Sequence, residues 1–412
     1  MKNHLQFAFC LGATAALLVS TSLQAQQWQT VLSGVPGVSG DIGTDVSGSS
    51  AVTAGRFIDE ATGDSTAVVL ELDDLTGDWV PLDSYAEAGL NYAHNRALVA
   101  DPVTGRLFAG GNLNNLLPNG TYEYDALWFI RAGDPQTGEW TTVDDSLALL
   151  DDGVGQASCA DILVTPFGDV YAAGGGQLGW LVRKRAAGAG TFVPVDVDYS
   201  GQSYGSAWDM AYHPTYGVFA VGEVNGFWTV RRSTHGDAGT WQTKDTFTVR
   251  RQWGGGKASS VLVARNGDIY VAGRALQWNT GANHWVVRRS TNGGETWSIV
   301  DSALVTGSGE PTGIAEDANG RIVVCGFIGS TGDRRWIVRR GQQVTTTSTK
   351  RGKTVTSTVW EWTTIDDHQP VPGTVWRANA VTVNAQGDLY VSGYGVDPNG
   401  VGQFMVRRLP AQ

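Results

Sequence analysis

Hydrophobic and polar residues alternate in short runs along most of this chain, and glycine-rich turns separate the runs. Between Val261 and Asp301, for example, four runs of four to six residues are rich in β-branched and aromatic side chains. Because side chains on a strand point to alternate faces, such runs predict half-buried β-strands. No segment after residue 25 repeats hydrophobic positions with helical spacing, so we expect an all-β fold.

The runs belong to a larger repeat. A Trp-x-Val-Arg-Arg pattern occurs at Trp228, Trp285 and Trp336, with looser copies at Trp128, Trp180 and Phe404. Successive copies lie 48 to 68 residues apart, a spacing that suits units of four short strands rather than helical repeats. A second pattern, an aliphatic and aromatic run that ends in glycine, occurs seven times, once degenerately.

These repeats predict a seven-bladed β-propeller of four-stranded antiparallel blades. The chain ends soon after Phe404, leaving no room for a last outer strand, while Trp28–Leu32 has the sequence of one. The N-terminal strand is therefore expected to join the last blade and close the ring, which removes exposed sheet edges. The high glycine content, 55 of 412 residues, agrees with many tight turns.

The outer strand of most units carries an aromatic residue followed by Asp four positions later. The pairs are Trp79/Asp83, Trp140/Asp144, Phe192/Asp196, Trp241/Asp245, Trp297/Asp301 and Trp362/Asp366. An even separation predicts that both side chains lie on one face of the strand. The repeated arginines are expected to form cross-strand ion pairs with these aspartates, a structural role.

The first 25 residues have the layout of a cleaved secretory signal: Lys2, an apolar run, and small residues before Gln26. We therefore expect a signal peptide at 1–25, a single propeller domain at 26–412, and a secreted or periplasmic protein, most simply a bacterial one. No further segment suggests a membrane span.

Charge and cysteine content limit the partners. A formal net charge of −11 argues against nucleic acid. The basic run Lys350–Lys353 interrupts a Thr-rich insertion, 342–358, which we interpret as a long solvated hairpin, with a docking arm as the alternative. Cys159 and Cys325 are expected to be buried free thiols. No zinc motif is present, and no cofactor is expected, although acidic loops could hold calcium.

Ser290-Thr-Asn-Gly-Gly-Glu-Thr-Trp297 closely resembles the Asp-box of the sialidase-like propeller superfamily, with Asn292 in the Asp position. The resemblance implies the propeller architecture and says little about chemistry, because the box is a structural turn that lies opposite the active site in that family. A sialidase would also need a Tyr-Glu nucleophile pair and an Arg-Ile-Pro-like segment. Neither can be placed here, so sialidase activity is not expected.

Candidate site residues lie on inner strands and on connections at the expected mouth of the ring. Asp161 and Asp209 occupy the same position of successive inner strands, with Arg96 one residue off that register. They are the candidate catalytic residues, because paired acids beside a base can serve acid/base chemistry; the alternative is a structural network of polar groups. The candidate ligand-binding residues are His94, Tyr204, Trp208, Trp253, Trp278, Trp376 and Arg377.

Three functions remain open from sequence. The first is a secreted binding or scaffold module, probably impossible to distinguish by motif from its competitors, which holds a glycan or an extracellular protein as a monomer. The second is a polysaccharide-degrading hydrolase or lyase that uses the inner carboxylates. The third is an assembly factor of the cell envelope. Whether the protein is an enzyme is not decided by the sequence.

Overall fold

The computed structural model describes residues 27–45, 47–117, 126–134, 137–145, 157–176, 179–197, 205–247, 255–277, 282–305, 307–350, 353–396 and 399–411. Every regular element among them is a β-strand, as the alternating runs predict. In this part of the chain, no helix has the length and apolar character needed to cross a membrane.

Four separate four-stranded antiparallel sheets follow one another in the middle of the chain. The first contains β9 (Ala157–Val164), β10 (Val170–Gly176), β11 (Gly179–Arg185) and β12 (Val193–Val197). The second contains β13 (Gly205–His213), β14 (Gly217–Val224), β15 (Phe227–Ser233) and β16 (Gln242–Phe247). The third contains β17 (Gly256–Val263), β18 (Ile269–Gln277), β19 (Ala282–Ser290) and β20 (Ser298–Val305). The fourth contains β21 (Ser308–Glu316), β22 (Ile322–Ser330), β23 (Asp333–Lys350) and β24 (Lys353–His368).

The two ends of the chain share one eleven-stranded sheet. Its strands are β25 (Trp376–Val383), β26 (Leu389–Val396), β27 (Gly402–Leu409), β1 (Gln29–Thr44), β2 (Ala51–Ile58), β3 (Ser65–Leu72), β4 (Trp79–Tyr85), β5 (Tyr92–Ala100), β6 (Leu107–Asn114), β7 (Leu127–Gly133) and β8 (Trp140–Asp145). Only one parallel pair, Ser65 with Tyr92, joins β3 to β5. The sheet is thus three four-stranded groups joined at two places.

The strand β1 makes the other junction. Its first part, from Gln29 to Pro36, pairs with β27, and its second part, from Gly37 to Thr44, pairs with β2. The N-terminal strand therefore does supply the fourth strand beside β25, β26 and β27, as the sequence predicts.

The first strand of each group lies nearest the middle of the molecule, and we call these the inner strands: the second part of β1, then β5, β9, β13, β17, β21 and β25. Each inner strand contacts the next one in chain order, and β25 contacts β1. The apolar core lies between successive groups. Its largest fully buried side chains include the repeated tryptophans Trp128, Trp180, Trp228, Trp285 and Trp336.

The repeated arginines form ion pairs with the repeated aspartates, but between sheets rather than across one sheet. In every case the arginine of one group reaches back to the outer-strand aspartate of the preceding group. The pairs are Arg131–Asp83, Arg183–Asp144, Arg231–Asp196, Arg288–Asp245, Arg339–Asp301 and Arg407–Asp366. The expected role is right and the expected geometry is wrong: these pairs tie neighbouring groups together.

A bulge in the outer strands explains the error. In β16 the register shifts between Thr243 and Asp245, which adds one residue to the strand. Trp241 therefore packs with Tyr171 and Trp180 on the preceding side, whereas Asp245 faces Arg288 on the next side. The expectation that aromatic and acid share one face is wrong, because an inserted residue inverts the alternation of side chains.

The insertion 342–358 extends β23 and β24 into a long two-stranded hairpin, paired as far as Lys350 with Lys353. Its base packs against the preceding sheet, where Trp362 donates an indole hydrogen bond to the carbonyl of Val300 at 2.8 Å. Cys159 on β9 and Cys325 on β22 are both buried and free.

Candidate functional site

A cavity of about 400 Å³ opens where the inner strands converge. Each inner strand carries a bulge at the same place, between a paired small or polar residue and the residue two positions later. The bulged residues are Gly40, Arg96, Ala160, Trp208, Ser259, Thr312 and Asn379. Bulges bend a strand and redirect its side chains, and here all seven bulged residues line the cavity.

The residue that follows the bulge is an aspartate in three inner strands: Asp41, Asp161 and Asp209. This register matches the sequence prediction, which placed Asp161 and Asp209 at one position and Arg96 one residue away. All three carboxylates line the cavity and are half-buried. Asp41 was noted only among loop acids, and the bulge explains why sequence alignment missed its equivalence.

Asp161 and Asp209 lie side by side. The amide nitrogen of Met210 donates to both, at 2.8 Å to Oδ2 of Asp161 and 2.7 Å to Oδ1 of Asp209. Two carboxylates that share one donor repel each other when both are ionised, so such a pair tends to hold a proton. The pair can therefore act as a proton donor.

Burial and mutual repulsion raise the pKa values of all three acids. Burial, then the charges of Asp209 and Asp41, hold the pKa of Asp161 well above its usual range. Burial raises the pKa of Asp209 to about 6, although hydrogen bonds from Ser260 and Val261 oppose the shift. Burial likewise raises the pKa of Asp41 to about 7.

Each of these carboxylates also connects two inner strands. Asp41 accepts a hydrogen bond from the amide of Leu98 on β5 at 2.8 Å. Asp209 accepts one from the amide of Val261 on β17 at 2.8 Å and one from the Ser260 hydroxyl at 2.5 Å. The structural interpretation of these residues therefore holds alongside any chemical one.

Glu310 on β21 differs from the aspartates because cations surround it. Nζ of Lys257 lies 2.8 Å from its Oε1, and Nε of Arg274 lies 3.4 Å from its Oε2. Burial alone would raise the pKa of Glu310, but Lys257, Arg377 and Arg274 lower it below its ordinary value. Glu310 is thus an ionised carboxylate in the same cavity as the proton-holding pair.

The residues Ser259 and Ser260 connect these two kinds of acid. Ser259 Oγ donates to Glu310 Oε1 at 3.1 Å, and Ser260 Oγ donates to Asp209 Oδ2 at 2.5 Å. Because the two serines are adjacent on β17, Glu310 and Asp209 lie on the same part of the cavity wall.

Arg96 and His94 on β5 reach the cavity as predicted. Nε of Arg96 donates to Oδ1 of Asn112 at 2.9 Å. His94 is buried, and burial together with the charges of Arg96 and Arg56 holds its pKa well below its usual range. A neutral His94 can accept or donate a hydrogen bond but does not act as a cation here.

Two further predicted ligand-binding residues also line the cavity. The ring of Trp208 lies under Nζ of Lys257, 3.8 Å from its centroid, and the guanidinium of Arg377 lies 4.6 Å from the centroid of Phe327. Both side chains are half-buried and face the cavity.

The prediction for Trp376 is wrong. Its ring is 5% exposed, packs edge-on to His368, and donates to Thr374 Oγ1 at 2.7 Å. It begins β25 rather than lying in a loop, so its ring is not available to a ligand. Tyr204, Trp253 and Trp278 lie outside the described residues.

The cavity also contains residues that the sequence prediction did not select. Glu310 and Lys257 had been noted among polar residues near the mouth but not chosen, and Arg274 and Asn379 had not been noted. The available signal was position: Lys257 and Arg274 face each other in the register of β17 and β18, beside an inner-strand bulge. Among the described residues, no group of three or more His, Cys, Asp or Glu side chains is arranged to hold a metal ion.

No protein-family model matches the chain, and no curated protein matches it. Solved structures do match. An ancestral GH74 enzyme aligns with a TM-score of 0.55 at 14% identity, over 91% of this chain and 48% of that one. An α-L-arabinofuranosidase from Fusarium graminearum aligns at 0.48 and 10%, over 91% and 93%, and an α-L-arabinanase from Penicillium chrysogenum at 0.46 and 11%, over 92% and 98%. At these identities the likeness concerns the fold alone, and the chain is an all-β protein similar in fold to β-propeller glycoside hydrolases.

Proposed function

We propose that this protein is a glycan-degrading hydrolase whose active site is the central cavity. The observation that carries the proposal is the pair of opposed acid environments: Asp161 and Asp209 hold a proton, while Glu310 is kept ionised. Carboxyl groups whose pKa values are pushed apart in one cavity are suited to act as general acid and general base.

The roles follow from these protonation states. The proton of the Asp161/Asp209 pair passes to the glycosidic oxygen as its bond to the anomeric carbon breaks. The Glu310 carboxylate takes a proton from a water molecule, and the oxygen of that water bonds to the anomeric carbon. Water is added across the bond, as in glycosidases that use an acid and a base on two separate carboxyl groups.

The fold is compatible with such a site. The GH74 enzyme shares the fold, and its name and those of the two arabinan-related proteins are those of enzymes that act on glycans. This likeness assigns no activity to the present chain. It removes one objection, since the same architecture accommodates glycan chemistry elsewhere.

The surrounding architecture is proposed as a seven-bladed ring of the sialidase-like Asp-box type. The cyclic order of inner-strand contacts and the double pairing of β1 support it. The turn from Ser290 to Trp297 also has suitable hydrogen bonds, including Gly294 N to Ser290 Oγ at 2.9 Å. We further propose that 1–25 is cleaved and that the hydrolase acts outside the cytoplasm, where polysaccharides are found.

A binding module without chemistry is the second candidate. Backbone amides already occupy the carboxylates of Asp41 and Asp209, as expected of residues that only join strands. In that case, the cavity would hold a glycan or an extracellular protein and leave it unchanged.

Purified residues 26–412 should be incubated with arabinan, xyloglucan, sialylated glycans and uronate polymers, followed by mass spectrometry. The proposal expects water-added fragments from at least one polymer. Asp209→Asn and Glu310→Gln should each lower kcat by about 10²- to 10⁴-fold, the usual range for an acid or base. Activity should also fall as pH rises through about 6, where Asp209 loses its proton.

Glu295→Gln is the matched control, since Glu295 is an exposed acid in the turn between β19 and β20 that pairs with Lys244 and Arg232. It should keep full activity. An intact polymer panel, or an active Glu310→Gln variant with unchanged pH dependence, would show that the hydrolase assignment is wrong and favour the binding module.

A further inference from the structure

The arginines of this acidic chain are not all neutralised, and those without a carboxylate are unevenly distributed. Most described arginines form an ion pair. Four that do not, Arg56, Arg96, Arg334 and Arg377, lie at the cavity or beside its wall. Arg96 and Arg377 line the cavity directly.

The other two are connected to cavity residues. Arg56 pairs in the β1–β2 register with Val38, a cavity residue, and its guanidinium lies over the ring of Tyr92 at 4.6 Å. Arg334 lies 4.8 Å from the centroid of Phe327, the ring that Arg377 also contacts. All four cations therefore belong to one end of the molecule.

Glu310 offsets only part of this charge. Lys257 and Arg274 already bind it, at 2.8 Å and 3.4 Å, so the described residues at this end carry six cations around one ionised glutamate. The three inner aspartates add little negative charge when protonated. An excess of confined positive charge is unfavourable by itself and is relieved when an anion binds.

Several donors at this end also lack partners. Nε of Arg377, Nε of Arg274 and Nε1 of Trp208 are buried and make no hydrogen bond within the described structure. Buried donors usually have an acceptor, and those left without one at a cavity are satisfied by solvent or by a ligand. Guanidinium groups match the two oxygens of a carboxylate or a sulfate.

We infer that the cavity recognises a glycan that carries anionic groups, with Arg377 and Arg96 binding its carboxylates or sulfates and Trp208 contacting an adjacent sugar ring. The inference rests on the proposed function in taking the cavity as the glycan site. It goes further by naming the substrate class, because nothing in acid/base chemistry alone requires an acidic sugar.

The test compares polymers with one backbone and different charge. Binding of residues 26–412 to polygalacturonate, to its carboxyl-reduced neutral form, to neutral arabinan and to dextran sulfate is measured by calorimetry. We expect the neutral forms to bind at least about tenfold more weakly, corresponding to the loss of one charged hydrogen bond. Stronger binding to polygalacturonate than to dextran sulfate would identify carboxylate as the anion, and the reverse would identify sulfate.

Variants locate the effect. Arg377→Ala should weaken anionic polymer binding about tenfold, and Arg377→Lys should restore part of it. Arg185→Ala is the matched control. Arg185 also lacks an ion pair but lies at the other end of β11, over the rings of Phe108 and Phe192. If Arg377→Ala does not fold, loss of wild-type binding as NaCl rises provides the same information.

The outcomes separate the two proposals. Equal binding or cleavage of neutral and anionic polymers would overturn the anionic class and leave the hydrolase standing. Anionic binding that depends on Arg377, without any cleavage, would support the class and refute the hydrolase. No binding and no cleavage of any polymer would overturn both.

Discussion

Aspartates serve this protein in two places with opposite surroundings. On the outer strands, each repeated aspartate faces an arginine from the next group; Asp366, for example, receives two bonds from Arg407 at 2.8 and 3.0 Å. On the inner strands, Asp41, Asp161 and Asp209 face amides, hydroxyls and one another. A buried acid beside a guanidinium is a structural fastening, whereas one beside another acid is prepared to gain or lose a proton.

The comparison also separates position from chemistry. Both sets connect neighbouring groups of strands, so connection alone does not identify a functional residue. Only the inner set touches a cavity, and only there does a second acid of opposite protonation, Glu310, share the space.

The largest effect is expected from breaking an outer pair. Arg407→Ala should lower the free energy of unfolding by about 3–5 kcal/mol, because it leaves Asp366 buried and uncompensated. Urea denaturation measures this. Arg106→Ala, which removes a largely exposed pair with Asp134, should cost no more than about 1 kcal/mol. Equal losses in the two variants would contradict the distinction between buried and exposed pairs.

A smaller effect concerns stability and pH. The folded pKa values of Asp41 and Asp209, about 7 and about 6, exceed the ordinary value of 3.8. The folded state therefore binds protons before the unfolded state as pH falls, so stability should rise from pH 8 towards pH 4. Asp144 and Asp245, each raised to about 6 by burial despite their arginines, act in the same direction.

Asp41→Asn should flatten this dependence, and urea midpoints at several pH values will show the slope. Asp64→Asn, in an exposed turn, is the control and should leave the slope unchanged. A wild-type midpoint that falls steadily between pH 8 and pH 5 would be incompatible with raised pKa values in the inner acids.

The smallest effect tests two adjacent serines. Ser260→Ala removes a hydroxyl that donates to Asp209, so the pKa of Asp209 should rise above about 6, with a stability loss of about 1 kcal/mol. Ser259→Ala removes the donor to Glu310 and should leave Asp209 unchanged. Titration of the carboxyl carbons by NMR distinguishes the two, and an identical response in both variants would argue against separate environments.

Much of the fold follows from short-range pattern. Runs such as Ile269–Gly273 combine strand propensity with a closing glycine, and both signals are local. The shared register of Asp161 and Asp209 followed for the same reason, since both precede a strand that ends in glycine.

The errors arose where an extra residue or a distant neighbour decides. The bulge before Asp245 sends it to the opposite face from Trp241, and counting by twos cannot detect it. Trp376 resembles a loop residue until β26 covers it, with Gly395 directly under its ring. The ionised state of Glu310 depends on Lys257 and Arg377, which come from different strands, so no local pattern carries it.

The double pairing of β1 has a consequence for how the molecule is made. Thr30 accepts a hydrogen bond from Arg407, 377 residues later in the chain, and Gln29 pairs with Arg408. During synthesis, the first part of β1 therefore has no partner strand until almost the whole polypeptide exists. Contacts of such long sequence separation form slowly, so the first strand to be synthesised is among the last to acquire its native neighbours, and its unpaired edge must stay protected from other chains until then.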